Sequence, residues 1–302
     1  MKRRISLLTA VLFTLCCICI GSASAGINDG LAAYYPFNGN ASDASGNGNN
    51  GVVNGATLTT DRLGQANSAY DFNGTGDNIM VNASSSLDVG AGNGLTLAAW
   101  INPYDLSVQR PIAEWVDSNL QVGAHFWISV SLAGGGPGSL YANFIDTTGA
   151  HHLFSTAPGI LAPNAYQHAA ATYDKTTGIA SLYLNGQVKA TQNLGIFTPQ
   201  TSSDLYLGAR LSGAQDHFKG VMDELRVYNR VLSPAELSLL AETVVTGCAN
   251  LLAGPIANAT VTLRQDQEPK QTTTTNSDGC YKFGAVVPGK LFRIEILGPI
   301  VP

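Results

Sequence analysis

The sequence predicts an all-β chain: two packed antiparallel sheets making one large domain, followed by a second, smaller β-sandwich. Three observations carry that expectation. About a dozen short stretches alternate apolar and polar residues at period two; Gly, Asn, Asp and Ser separate them at regular spacing; and a helical repeat is confined to one short segment.

The chain opens with Lys2, Arg3 and Arg4, an apolar run from Ile5 to Ile20, and the small residues Ser22 to Ala25. That order predicts a secretory signal peptide over residues 1–25, cleaved before Gly26, because the run is short of the roughly 20 residues a membrane span needs. No small-residue lipidation context precedes Cys16, Cys17 or Cys19, and no second apolar span or wall-sorting signal follows. A secreted or cell-surface protein with no membrane span in its mature form is therefore expected. Removing the leader leaves 13 basic against 21 acidic side chains, a net charge of −8. That balance disfavours nucleic acid, and no nucleic-acid partner is expected. The mature chain keeps two cysteines, Cys248 and Cys280, and in an exported protein a disulfide is the expected reading. Closing that loop would stabilise the small domain by roughly 3–4 kcal/mol on the chain-entropy argument.

Taken in order, Leu31 to Phe37 reads as a first strand, with Pro36 marking an edge or end. Asn38 to Gly55, rich in Asn, Gly, Ser and Asp, is expected to be irregular throughout. Its centre, Asp43 to Asn49, offers oxygens on a glycine-bearing loop and reads either as a calcium loop or as a solvated Asx-rich turn. Tyr70 to Gly74 and Ile79 to Val81 are short strands around Thr75 to Asn78, and Leu95 to Asn102 alternates as a half-buried strand. Ile112 to Val116 and Ala124 to Leu132 follow. The Gly134 to Gly138 loop has no lysine or helix start behind it, so it reads as a hairpin connection and not a phosphate cradle. Two strands within Ser139 to Phe154 should pair across Asp146 to Gly149. Tyr166 to Tyr173 and Ile179 to Leu184 form a hairpin, and Asn185-Gly186 supplies a type I′ turn into Gln187 to Thr191. Leu205 to Arg210 adds another strand.

The stretch Gly220 to Leu240 closes the domain. With strand period, Val221, Leu225 and Val227 share a face that also carries Asp223. A buried carboxylate requires compensation, so Asp223 is paired with a cation, hydrogen-bonded to amides, or bound to a metal. Ser233-Pro234-Ala235-Glu236 is a capping box with proline at the first helical position, opening a short helix.

This closing stretch, with DASGNGNNG from Asp43, AYDFNGTGDNIMV from Ala69 and HAAATYDKTTGIASLYLNGQVKA from His168, resembles the laminin-G-like, concanavalin A-like jelly rolls of secreted and surface proteins. The resemblance implies a jelly roll over residues 26–243. Beyond Ala241 to Thr246, read as a boundary, the segments Ala259 to Leu263, Ser277 to Phe283 and Leu291 to Leu297 resemble a carboxypeptidase regulatory-like, or prealbumin-like, Ig-like β-sandwich over residues 244–302. That module ends where a further strand would usually follow, so a truncated module, or one completed by a neighbour, is the expectation.

Related jelly rolls often carry calcium beside the closing strand. The resemblance and the need of Asp223 for a partner together imply a structural calcium held by Asp43, Asn47, Asp77 and Asp223, with an Arg or amide partner for Asp223 as the alternative. For glycan binding, aromatic platforms beside polar groups are required, and Tyr104, Trp115, His125, Trp127 and Tyr141 are the candidates. Each ring is also readable as sandwich packing. Catalysis finds no support. The E-x-D-x-x-E pattern of related hydrolases does not occur, and Glu114 and Asp117, three apart, would point to opposite faces of a strand. His151 and His152, adjacent on a strand, would also diverge, which disfavours shared zinc. The expected function is non-catalytic extracellular binding, lectin-like toward glycan. The alternative is a structural or adhesive surface protein whose jelly roll is a spacer or binds protein, and a glycoside hydrolase or lyase stands behind both.

Overall fold

The computed structural model describes residues 26–117, 119–211, 216–251, 254–265, 268–286 and 292–297; the expected signal peptide lies outside them. The strands of the large unit begin with β1 (Leu31–Tyr35), β2 (Gly51–Asn54), β3 (Thr57–Thr59), β4 (Ala69–Asn73) and β5 (Asn78–Val81). Next come β6 (Gly94–Pro103), β7 (Arg110–Val116), β8 (Val122–Ile128), β9 (Leu140–Phe144) and β10 (Leu153–Ser155). The series ends with β11 (Gln167–Asp174), β12 (Ile179–Leu184), β13 (Gln187–Asn193), β14 (Asp204–Leu207) and β15 (Lys219–Tyr228), before helix α1 (Pro234–Leu240).

They form two antiparallel sheets. One has eight strands in the order β13-β12-β11-β6-β15-β4-β3, with β1 also on β15; the other has seven, in the order β10-β9-β8-β7-β14-β5-β2. The expected all-β sandwich is the one observed. Its core lies between the sheets, where Trp115, Phe126 and Phe144 of the seven-stranded sheet meet Leu97, Ile101, Tyr173, Leu182 and Met222 of the other. Asn185 and Gly186 have φ of 50° and 73°, the two positive values that a type I′ hairpin between β12 and β13 requires.

Within Asn38 to Gly55 the expectation of an irregular run is corrected, because Gly51–Asn54 is β2, paired with β5. Its pairing partner, not its composition, makes it a strand. A second correction concerns the closing strand. Glu224 has φ 53° and the pairing of β15 with β6 shifts between Asp223 and Arg226, which is a β-bulge. One extra residue reverses the alternation. Met222, Leu225 and Val227 therefore face the core, while Asp223 and Arg226 point outward.

Helix α1 is built as the sequence requires. Ser233 Oγ accepts from the Glu236 amide and the Glu236 carboxylate accepts from the Ser233 amide. Its Leu237 and Leu240 pack with Leu232 and Tyr228 on Ala98, Ala170 and Tyr183, on the outer face of the eight-stranded sheet. Past α1, β16 (Thr243–Cys248) pairs with β21 (Cys280–Val286) and carries the Cys248–Cys280 disulfide. The expected boundary at Ala241 to Thr246 is thus largely strand. β17 (Asn250–Leu251) pairs with β18 (Gly254–Pro255), and β19 (Thr260–Gln265) lies between β20 (Glu268–Thr274) and β22 (Phe292–Leu297).

Candidate functional site

Side chains on the outward face of the seven-stranded sheet line up in rows across its strands. Cross-strand partners place Tyr206 of β14, Glu114 of β7, His125 of β8, Asn143 of β9 and Leu153 of β10 in one row, with Trp127 and Tyr141 paired in a second. Antiparallel pairing puts such partners on the same face, where Glu114, His125, Trp127, Tyr141 and Asn143 are all buried, none of them more than 4% exposed. The core residues Trp115, Phe126 and Ala142 alternate with them and point the other way.

At the centre Glu114 is fully buried, and Arg210, just past β14, lies over it. The Arg210 Nε donates to Glu114 Oε1 and Oε2 at 2.8 and 3.0 Å, and Nη2 donates to Oε2 at 2.7 Å. Trp127 Nε1 donates to the same Oε2 at 2.9 Å, and the Arg210 guanidinium stacks over the Trp127 ring at 4.3 Å. Burial pushes the Glu114 carboxyl up from its ordinary value, while Arg210 and Trp127 pull it down. His125 donates from Nδ1 to the Gly123 carbonyl, which leaves Nε2 as the acceptor facing Arg210 Nη2 at 3.5 Å. Burial and then Arg210 lower its pKa to about 3, so it is neutral. Its ring lies 5.9 Å from both Trp127 and Tyr141. At the far end of the row Asn143 bonds the His151 ring at 2.8 Å and accepts from the His152 amide. Gly208, two residues before Arg210, has φ +79°, and a Cβ there would meet the Phe72 ring at 2.7 Å.

Of the five rings expected to bind ligand, the fold brings together His125, Trp127 and Tyr141. Trp115 is corrected to a core residue, because it occupies the inward phase of β7. Tyr104 is corrected as well: its hydroxyl reaches Asp71 of β4 in the other sheet, 3.4 Å away. Glu114, Asn143 and Arg210, which the fold brings beside these rings, were not among the residues expected from the sequence. The available signal was the H-x-W of β8 and the Y-x-N of β9, polar groups recurring at one strand phase among apolar neighbours.

The residues expected to share a calcium do not fit one. Asp43 already accepts from the amides of Tyr34, Ser45 and Asn49 and from the Ser45 hydroxyl, which fills both carboxylate oxygens. Asn47 turns its amide nitrogen to the carbonyls of Leu31 and Ala32, and Asp77 accepts from the Asn73 amide and side chain. Asp223 pairs with Arg62 at 2.9 Å, the cation alternative. Among the described residues no group of three or more His, Cys, Asp or Glu side chains is placed to hold a metal ion. Arg62 also lies over Trp100 at 4.8 Å and reaches Glu224 at 3.7 Å. Burial pushes the Asp223 carboxyl up to about 7, against Arg62 and with the help of Glu224 and Asp61.

The sequence pattern of the concanavalin A-like lectin/glucanases superfamily matches residues 72–238, more than half of the chain. The chain belongs to that superfamily. No curated protein matches it by sequence. Solved structures share the concanavalin A-like fold at low identity. The binding domain of Paraclostridial mosquitocidal protein 1 superposes with a TM-score of 0.58 at 16% identity, covering 80% of this chain and 59% of that one. Domain 4 of AbnA, an extracellular arabinanase of Geobacillus stearothermophilus, in complex with arabinotriose, gives 0.53 at 21% identity, covering 70% and 98%. The binding domain of botulinum neurotoxin serotype D gives 0.54 at 13%, covering 89% and 71%. This chain therefore spans less than two thirds of the mosquitocidal binding domain. Among its described residues no helix is long and apolar enough to cross a membrane.

Proposed function

We propose that this concanavalin A-like chain is an exported, non-catalytic protein that captures carbohydrate on the outward face of its seven-stranded sheet. The observation that carries the reading is the convergence there of Trp127, Tyr141 and His125 with the polar groups of Asn143, Arg210 and Glu114. Sugar recognition uses aromatic rings beside directional donors and acceptors. The neighbour solved with arabinotriose adds a fold-level argument. A binding role is favoured over hydrolysis because both Glu114 oxygens are engaged by Arg210 and Trp127, leaving no free acid to protonate a leaving group. Residues 26–243 act as the binding unit, and residues 244–302 as an accessory module of the prealbumin-like kind.

A glycan array probed with residues 26–302 tests this. Binding to a defined sugar class should be lost in Asn143→Ala and kept in Tyr104→Ala, whose ring lies away from the site. Absence of glycan binding would transfer the function to a spacer or a protein-binding adhesin.

A further inference from the structure

We infer that this site selects uncharged glycans: Arg210 offers hydrogen bonds there without net charge, because Glu114 beneath it cancels its cation, so neutral sugars are accepted and uronate-bearing ones are not. The inference rests on the glycan reading above.

An arginine recognises a carboxylate by forking it with two parallel N–H groups. Here the Nε and Nη2 edge already forks Glu114. Nη2 also faces the His125 Nε2. Among the described residues Nη1 has no partner, and the Arg210 side chain is 22% exposed, so a donor remains within reach of a ligand hydroxyl.

His125 is buried and neutral. Arg110, on the same strand as Glu114, is tied to Asp105 at 2.8 Å and to the His217 carbonyl. Asp216, held by Gln109 at 3.2 Å, adds a negative field at Glu114. The pair and Asp216 together sum to a negative site on a chain whose mature form carries −8. Bringing a carboxylate out of water into that field is unfavourable, whereas a hydroxyl needs only a donor and an acceptor.

The test compares matched ligands by calorimetry: arabinotriose and cellotetraose against tri- and tetragalacturonate, at low and high salt. The neutral oligosaccharides should bind at least about tenfold more tightly, a difference of about 1.4 kcal/mol, and their affinity should be insensitive to salt. Glu114→Gln, which frees the Arg210 charge, should move the acidic-to-neutral ratio by about fivefold or more toward the acidic ligand. Tighter galacturonate binding by the wild type, or an unchanged ratio in a folded Glu114→Gln, would overturn the inference and leave glycan binding standing. Where Glu114→Gln does not fold, the wild-type comparison decides alone. Binding of neither ligand class, there and on the array, would remove the parent reading and this inference with it.

Discussion

His168 sits on the outer face of the eight-stranded sheet with no exposure, and neither ring nitrogen has a hydrogen-bond partner among the described residues. Its neighbour is Trp100, edge-on at 5.6 Å. Burial, then Arg226 and Arg62, lower its pKa to about 3. Because the folded value lies below the unfolded one of about 6.5, the unfolded chain takes up a proton that the folded chain refuses. Stability is therefore full above pH 6.5 and is lost as pH falls from there toward 3. His125 contributes in the same direction. His168→Phe, a ring of similar volume that does not titrate, should match the wild type at pH 8 within about 1.5 kcal/mol and lose less stability between pH 6.5 and 4. Urea melts across those pH values measure this; an unchanged acid slope would show that His168 is not a source of it.

At the scale of elements, α1 depends on its N-terminus more than on its length. Seven residues are too few for an isolated helix, so its stability comes from the capping box and from the packing of Leu237 and Leu240. Ser233→Ala should cost about 1 kcal/mol in chemical denaturation. Glu236 is held at about pH 2 by Arg230, which bonds it at 2.6 Å, and by Ser233. Its folded pKa lies below the unfolded value, so its contribution is present above about pH 4.5 and is lost as pH falls toward 2. Glu236→Gln should remove that part of the pH dependence, and a Glu236→Gln profile parallel to the wild type would argue against it. The bulge at Glu224 is the other element that matters. By reversing the phase after Asp223 it brings Leu225 into the core, while Asp223 keeps the outer face with Arg62.

For the whole molecule, ion-pair and amide contacts engage the residues expected to hold a metal. The loop around Asp43 is fastened to β1 by Asp43, Asn47 and Asn49, and Asp223 is neutralised by Arg62. Thermal melts in calcium and in chelator should coincide within about 1 °C, since binding to the folded state alone would raise the midpoint with ligand concentration. A calcium-dependent rise of several degrees would restore a cation site. Much of the architecture was legible from local signals: strand alternation, the Asn185-Gly186 turn, the Ser233 capping box and the Cys248–Cys280 pair each depend on neighbours in the chain or on compartment. The faces were less legible. Side chains alternate with a period of two residues, so the one-residue bulge at Glu224 reverses every later assignment on β15, and nothing in the alternation marks it in advance. Partner choice was hidden for a different reason. Arg62 finds Asp223 across 161 residues, and Arg210 finds Glu114 across 96. The sequence by itself determined that two β-sheets form and that Asp223 must be compensated, because period and burial are local demands. Only the tertiary structure decided which cation answers Asp223, and that His125, Trp127, Tyr141 and Asn143 meet Arg210 on one face, because register between distant strands is set by how the whole sandwich closes.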